Sequence, residues 1–287
     1  MYLDFFNLRE FPFSIASDPK YFYQSDIHSE GLANMLYTIQ QRKGMVLITG
    51  EVGAGKTFLA SMLAEKLGRN SLVVSVKHPP DSAKQMLRAV AEGIGVRVGR
   101  ADDKLTLVQE LENKLQRHFR RDRLVAVILD EVQDLPDEAM EQIRLMWNWE
   151  QDGQRLVQLV LVGQPELRDR LKEPKWESLQ QRIVLSYHLG SLSEADTARY
   201  VLHRRKIAAA NGSPLRFTMR ALEDIYEVTK GIPRLINILC DNALLTAYAS
   251  NTTKVTSGVV AKVVKNMTTW TLNPGGSETD LDDSPEQ

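Results

Sequence analysis

Long apolar runs, cysteine and any surplus of charge are all scarce in this chain. Its longest purely apolar stretches are strand-sized, far short of the ~20 residues a membrane-spanning helix requires, so direct insertion into a bilayer is not expected. The amino terminus, Met1-Tyr2-Leu3-Asp4-Phe5-Phe6, has no basic segment leading into an apolar core and a cleavage site, which leaves export unsupported. The single cysteine, Cys240, can close no internal disulfide, and its place in an apolar helical pattern points to a packing role in a reduced, cytoplasmic compartment. With 36 Lys and Arg against 37 Asp and Glu, the formal net charge of −1 argues against bulk attraction to nucleic acid or anionic lipid. Two local clusters stand apart from this balance: Arg117, Arg120, Arg121 and Arg123 at the end of one predicted helix, and Arg204, Arg205 and Lys206 within another. Cations near a helix C-terminus are favoured by its dipole, so each cluster reads either as a solvated face or as a binding surface.

What the chain does have is a glycine-rich octet, Gly50-Glu51-Val52-Gly53-Ala54-Gly55-Lys56-Thr57. Met45–Thr49 before it is a short apolar run, and Leu59, Met62, Leu63 and Leu67 after it recur at helical spacing until Gly68. Strand, loop and helix therefore stand in the order a phosphate-binding loop needs. A nucleoside triphosphate is densely anionic, and its seat must offer several backbone N–H groups with no side chain in the way. Gly50, Gly53 and Gly55 can take positive φ so that successive amides point inward, and the following helix adds the positive end of its dipole. The Lys56 ammonium is then expected to reach the β- and γ-phosphates, and the Thr57 hydroxyl to ligate Mg²⁺. Phe58, next in the helix, completes the candidate ATP-binding stretch.

Leu124–Leu129 is a second continuous apolar run, as for a strand covered on both faces, and it ends in Asp130-Glu131. Asp130 is expected to hold the magnesium through water, and Glu131 to orient and deprotonate the attacking water. Both would sit just beyond the carboxyl ends of strands, where open α/β sheets bind ligands.

At 287 residues and 43% hydrophobic content the chain can bury a large domain and a smaller one. Strand-like runs at Leu72–Val76, Leu124–Leu129, Val157–Val162 and Ile183–His188 join the first, with helical patterns at Asp81–Gly93, Leu105–Phe119 and Asp137–Trp149 between them. That alternation predicts a five-stranded parallel sheet flanked by helices over residues 26–192. From Ser193 to about residue 270 the patterns at Ser193–Ala210, Thr218–Thr229, Arg234–Tyr248 and from Ser257 are helical only, with Ser193 and Thr218 as N-caps. Residues 271–287 are too poor in apolar side chains to order themselves. Residues 1–25 are rich in Phe and Tyr and must pack on something; they either cover the edge of the α/β core or, through Tyr21–Ile27, also line the adenine pocket.

The loop, the Asp130-Glu131 pair, the sheet and the helical lid together resemble the AAA+ ATPases, in the branch related to replication initiators. Asp4-Phe5-Phe6, Pro12-Phe13, Asp18-Pro19, the glycine-rich octet, Leu161-Val162-Gly163-Gln164-Pro165-Glu166-Leu167 and Gly231-Ile232-Pro233-Arg234 are similar to the general secretion pathway protein A (ExeA-like) ATPases, over roughly Met1 to Asn266. The resemblance implies three further roles: Gln164 as the sensor 1 group near the γ-phosphate, Arg234 as the sensor 2 cation of the lid, and Arg182 as an arginine finger acting on a neighbouring subunit, with Arg168 and Arg170 as alternatives. A finger in trans implies an ATP-dependent head-to-tail homo-oligomer, ring or filament. Longer family members carry a transmembrane helix and a peptidoglycan-binding region that this sequence lacks, so any membrane contact is expected to run through a partner. The implied function is a motor or switch in assembly of a secretion, pilus or exopolysaccharide export machine, with an envelope-assembly protein as partner. The alternative is a DNA-binding ATPase of transposition or replication type.

Overall fold

The computed structural model describes residues 2–15, 18–23, 26–68, 70–99 and 103–267, with the backbone only at 26 and 27. The expectation for residues 271–287 lies outside the described residues, as does part of the Tyr21–Ile27 segment. The chain divides into two compact units, one formed by residues 24–190 and the other by residues 1–23 together with 191–287.

In the first unit the strands are β1 (Met45–Gly50), β2 (Ser71–Val76), β3 (Leu124–Leu129), β4 (Glu150–Gln151), β5 (Gln154–Arg155), β6 (Gln158–Gly163) and β7 (Ile183–Leu189). Five of them form one sheet in the order β2-β3-β6-β1-β7, with every pairing parallel. Burial follows position. Every residue of the three central strands β1, β3 and β6 is buried, which is why each reads as an unbroken apolar run, whereas the edge strand β7 alternates between half-buried and exposed until Leu189. Helices Ala83–Gly93, Lys104–Phe119 and Asp137–Trp147 supply Leu87, Leu111 and Ile143 to the main core against Val125, Val127 and Leu159. The first two start on Ser82 and Asp103, whose side chains accept from the N–H groups of Gln85 and Thr106. Helix Asp26–Gln40 packs on β7, where a Cβ at Gly31 would lie 2.4 Å from the Tyr187 ring.

One antiparallel hairpin, β4–β5, was not expected from the pattern. Asp152 and Gly153 at its tip both have positive φ, 51° and 72°, as a two-residue type I′ turn requires. Among the described residues no helix is long and apolar enough to cross a membrane.

The second unit is built on helices Glu194–Ala208, Met219–Thr229, Pro233–Ala249 and Ser257–Asn266. Ser193 and Thr218 cap the first two as expected, accepting from the N–H groups of Asp196 and Ala221. The unit is not purely helical: β8 (Arg216–Phe217) and β9 (Lys254–Val255) pair in parallel, each too short to leave a period in the sequence. Gly231, at φ +75°, closes the turn before helix Pro233–Ala249; its carbonyl accepts from Leu192 N–H at 2.9 Å, and a Cβ there would stand 1.9 Å from the Leu192 oxygen. Cys240 is fully buried, and burial pushes its thiol pKa up, in keeping with a packing role.

The aromatic amino-terminal segment corrects an expectation. Where packing on the α/β core was expected, Tyr2, Phe6, Leu8, Phe13 and Tyr21 are buried among the carboxyl-terminal helices, with Leu222, Ile236, Leu239 and Leu244. Polar contacts fix it there: Tyr2 Oη donates to Asp241 at 2.5 Å, Arg9 N–H to the Ala208 carbonyl at 2.8 Å, and Ser213 Oγ to the Phe6 carbonyl at 2.6 Å. The clamp is Arg204, only 5% exposed. Its guanidinium donates to the carbonyls of Pro12 (2.6 Å) and Ser14 (2.9 Å) and to Tyr200 Oη (2.8 Å), and lies over the Tyr21 ring at 4.6 Å. Arg204 and the half-buried Arg205 therefore belong to the interior, so the second basic cluster is not a binding surface. Arg204→Met would take the donor from the buried Pro12 carbonyl and from the buried Tyr200 hydroxyl and should cost about 2–4 kcal/mol. Urea denaturation measures the loss, and Arg204→Lys, which cannot reproduce the planar fork, should not restore it.

Candidate active site

Three neighbouring strands deliver the expected chemistry to one end of the sheet. β1 ends at Gly50, where a Cβ would stand 2.4 Å from the Leu189 carbonyl oxygen, so only glycine lets the loop leave the strand against β7. Gly53 and Gly55 take φ of 81° and 104°, and helix Lys56–Lys66 starts immediately after Gly55. A loop with two left-handed glycines running into a helix N-terminus is the arrangement in which backbone N–H groups can seat an anion. Glu51 and Val52 are exposed on the loop, Ala54 is buried beneath it, and Phe58 is half-buried on the first helical turn.

Lys56 is only 7% exposed. Its Nζ donates to the carbonyls of Gly50 (2.7 Å) and Glu51 (3.0 Å), so the ammonium lies folded over the loop. Burial draws its pKa below the ordinary lysine value, opposed by the carboxylates of Glu131, Asp130 and Glu51. An anion seated on the loop would draw it up again.

Beside the loop, Thr57 Oγ1 donates to Asp130 Oδ2 at 2.7 Å, joining the start of the helix to the end of β3. A hydroxyl and a carboxylate are hard oxygen donors, suited to a small divalent cation that keeps most of its waters. Among the described residues no group of three or more His, Cys, Asp or Glu side chains could hold a metal. A magnesium ion held by Thr57 and Asp130 would take the rest of its shell from water and phosphate oxygens.

Glu131 follows in the left-handed region, φ 53° and ψ 42°. β3 and β6 pair with Leu129 opposite Leu161, so Glu131 comes level with the end of β6 and meets Gln164. The Gln164 amide nitrogen is 3.4 Å from Glu131 Oε2, a long contact. A shorter one comes from a residue the motif reading passed over. Gln133 Nε2 donates to the same Oε2 at 2.8 Å, and Gln133 Oε1 accepts from the Gln164 N–H at 3.0 Å. Nothing in local spacing marks Gln133; its place depends on the register between β3 and β6.

The structure thus gathers Lys56, Thr57, Asp130, Glu131 and Gln164. Arg182 precedes β7, whose first residue pairs with Met45 at the start of β1. It lies a full strand away from Gly50, roughly 20 Å at ~3.3 Å per residue. Half-buried, it donates to the Ser178 carbonyl and lies over the Trp147 ring, 5.1 Å from its centroid. Arg170 is committed to the loop after β3, donating to the carbonyls of Gln133 (3.0 Å) and Leu135 (2.6 Å) and to Asp137 (2.6 Å). Arg168 is exposed, and among the described residues its guanidinium makes no hydrogen bond or ion pair. Arg234 belongs to the other unit, exposed in the first turn of helix Pro233–Ala249.

Comparison with known proteins bears on the family and the fold. A family model described as an AAA domain matches residues 39–171. The chain is 37% identical over 261 residues to General secretion pathway protein A of Aeromonas hydrophila, a match covering 91% of this chain and 47% of that protein. It therefore spans about half the length of the curated relative it matches. Among solved structures, the Aeropyrum pernix ORC2 protein in its ADPNP-ADP complexes superposes with a TM-score of 0.68 at 18% identity, covering 88% of this chain and 71% of that one. Cdc6p from Pyrobaculum aerophilum gives 0.68 at 18%, covering 89% and 70%. The Thermotoga maritima RuvB Holliday junction branch migration motor gives 0.56 at 17%, covering 85% and 69%. These likenesses establish a shared fold.

Proposed function

We propose that this chain, an AAA+ P-loop ATPase related to general secretion pathway protein A, binds ATP with magnesium and couples its hydrolysis to assembly of a bacterial envelope machine. The observation that carries the reading is the meeting of Lys56, Thr57, Asp130 and Glu131 at the carboxyl ends of β1 and β3, with Thr57 and Asp130 in direct hydrogen bond at 2.7 Å.

In this reading the γ-phosphate rests on the amides of residues 50–57 and on Lys56, in place of the Gly50 and Glu51 carbonyls that the ammonium now holds. Thr57 and Asp130 would hold a magnesium ion, which would supply charge neutralisation to the phosphates. Glu131 accepts a proton from the attacking water as the water oxygen bonds to the γ-phosphorus and the β–γ bridging bond breaks, releasing ADP and phosphate. Gln164, held only weakly by Glu131, is free to turn its amide toward the γ-phosphate, and Arg234 serves as the lid's cation.

Arg182 cannot reach its own loop across the length of the sheet, so a finger role requires a second copy. That supports a head-to-tail oligomer in which each subunit completes its neighbour's site. Specific turnover should then rise with protein concentration. Arg182→Ala, or Arg168→Ala if the exposed residue is the finger, should flatten that rise, because a finger supplied in trans is worth about 10³–10⁵ in rate. A rate per subunit independent of concentration in the wild type would overturn the shared site.

The assembly role rests on the likeness to General secretion pathway protein A of Aeromonas hydrophila and is tested by co-purification with proteins encoded beside it. The DNA-binding alternative predicts salt-dependent binding to duplex DNA in the presence of ATP, with Arg117, Arg120 and Arg121, all exposed, as its phosphate contacts. Absence of such binding in an anisotropy titration would remove it.

A further inference from the structure

Glu131 needs an external hold. Its backbone sits in the left-handed region, which costs a residue with a side chain about 1–3 kcal/mol and persists only where the surroundings impose it. Its N–H is turned back onto its neighbour, donating to Asp130 Oδ1 at 3.0 Å. Among the described residues both hydrogen bonds to its carboxylate come from side-chain amides, and both fall on Oε2. The bond from Gln164, at 3.4 Å, is weak; the bond from Gln133, at 2.8 Å, is of full strength.

We infer that Gln133 is a positioning residue for the hydrolytic step: its amide fixes Glu131 with Oε2 tied down and Oε1 left to take the proton from water, and it joins that carboxylate to the backbone of Gln164. The inference rests on the reading of Glu131 as the base. Four observations carry it. First, the amide is saturated, with Nε2 donating to Glu131 Oε2 and to Asp134 Oδ2 at 2.9 Å, and Oε1 accepting from Gln164 N–H at 3.0 Å. This assigns its orientation, because the flipped amide would press an oxygen against two carboxylates and a nitrogen against an N–H. Second, space is kept for it. A Cβ on Gly163, the last residue of β6, would lie 2.9 Å from Gln133 Oε1 and 2.6 Å from a Leu167 methyl, so only glycine admits the amide. Third, the main chain of Gln133 is pinned, its carbonyl accepting from Arg170, which also holds Leu135 and Asp137. Fourth, Gln133 lines an open cleft of about 570 Å³ together with Gln164, Asp134 and Glu166, so it borders open space and is not buried in the core. The amide thus links the end of β3 to the end of β6, and a shift of either strand end on phosphate binding is passed to the carboxylate.

The test compares Gln133→Met, which keeps length and loses the amide, with Gln133→Glu, which keeps length and polarity but sets a third carboxylate beside Glu131 and Asp134. Turnover is measured at saturating ATP and nucleotide affinity with a fluorescent ATP analogue, in otherwise wild-type full-length protein. A well-placed base contributes about 10²–10⁴ in rate, and a misoriented one should forfeit part of this, so kcat should fall about 10–100-fold in Gln133→Met and at least as far in Gln133→Glu. Nucleotide affinity should stay within about twofold, since Gln133 touches neither the loop nor the phosphate seat. Gly163→Ala, which crowds the amide, should lower kcat in the same direction. On a Glu131→Gln background, single-turnover rates should show no further loss from Gln133→Met, because the residue acts only through Glu131. Wild-type kcat in Gln133→Met, a loss carried by affinity, or full additivity on that background would each overturn the inference. A dead Glu131→Gln beside a normal Gln133→Met defeats this inference alone, whereas normal turnover in Glu131→Gln defeats the base assignment beneath it.

Discussion

Glu131→Gln should bind ATP as the wild type does and lose turnover by about 10²–10⁴-fold, the range general-base catalysis supplies. The substitution preserves shape and removes only the capacity to take a proton. The loop, Lys56, Thr57 and Asp130 are untouched, so the phosphate seat is intact. Gln133 would then face a second amide, and a rotation of the new side chain suffices to keep one hydrogen bond. Affinity from a fluorescent nucleotide and phosphate release from a coupled assay separate the two effects. Affinity and turnover falling together would mean that Glu131 holds the nucleotide and does not activate water. Because the variant traps the bound state, it should also favour any ATP-dependent oligomer, visible in light scattering as a larger mass with ATP than without.

Lys56→Met should act on the other quantity. Removing a largely desolvated ammonium from beside a polyphosphate is expected to cost about 2–5 kcal/mol of binding, roughly 30-fold or more in Kd. The same change should not destabilise the nucleotide-free protein. Lys56 is buried, its pKa is drawn down by that burial, and of its acceptors the Gly50 carbonyl is at a buried residue and the Glu51 carbonyl at an exposed one, so the loss of one buried hydrogen bond is set against the relieved desolvation of the ammonium. An apolar chain of similar volume relieves the desolvation cost. Thermal denaturation should therefore show a Tm for Lys56→Met equal to or above that of the wild type without nucleotide, and no upward shift on adding ATP. A marked fall in Tm without nucleotide would identify the lysine as a structural prop.

The parts of the fold readable from sequence are those where burial is uniform. β1, β3 and β6 are covered on both faces, so each is an apolar run, and the flanking loops punctuate them. The half-exposed β7 keeps its alternation because one-sided burial leaves a period of two. The hairpin at Asp152-Gly153 carried a turn signal, but strands of two residues offer no periodicity to confirm it. The amino-terminal segment shows the limit of composition. Its phenylalanines and tyrosines declare that it must be covered, and only tertiary structure shows that Arg204, Asp241 and Ser213 of the helical unit do the covering. Likewise the phosphate loop is legible because its chemistry lies in consecutive backbone, with Lys56 and Thr57 at fixed offsets. Gln133 is not, because its meaning depends on a neighbour thirty-one residues on, Gln164, brought level by strand pairing and admitted by a missing Cβ at Gly163.

Isothermal titration calorimetry of the purified chain with ATP and magnesium is the most direct measurement. The expected result is saturable binding at a single site, weakened when magnesium is withheld and lost in Lys56→Met. Absence of heat, together with no rise in Tm at millimolar nucleotide, would contradict a seat for a polyphosphate on residues 50–57.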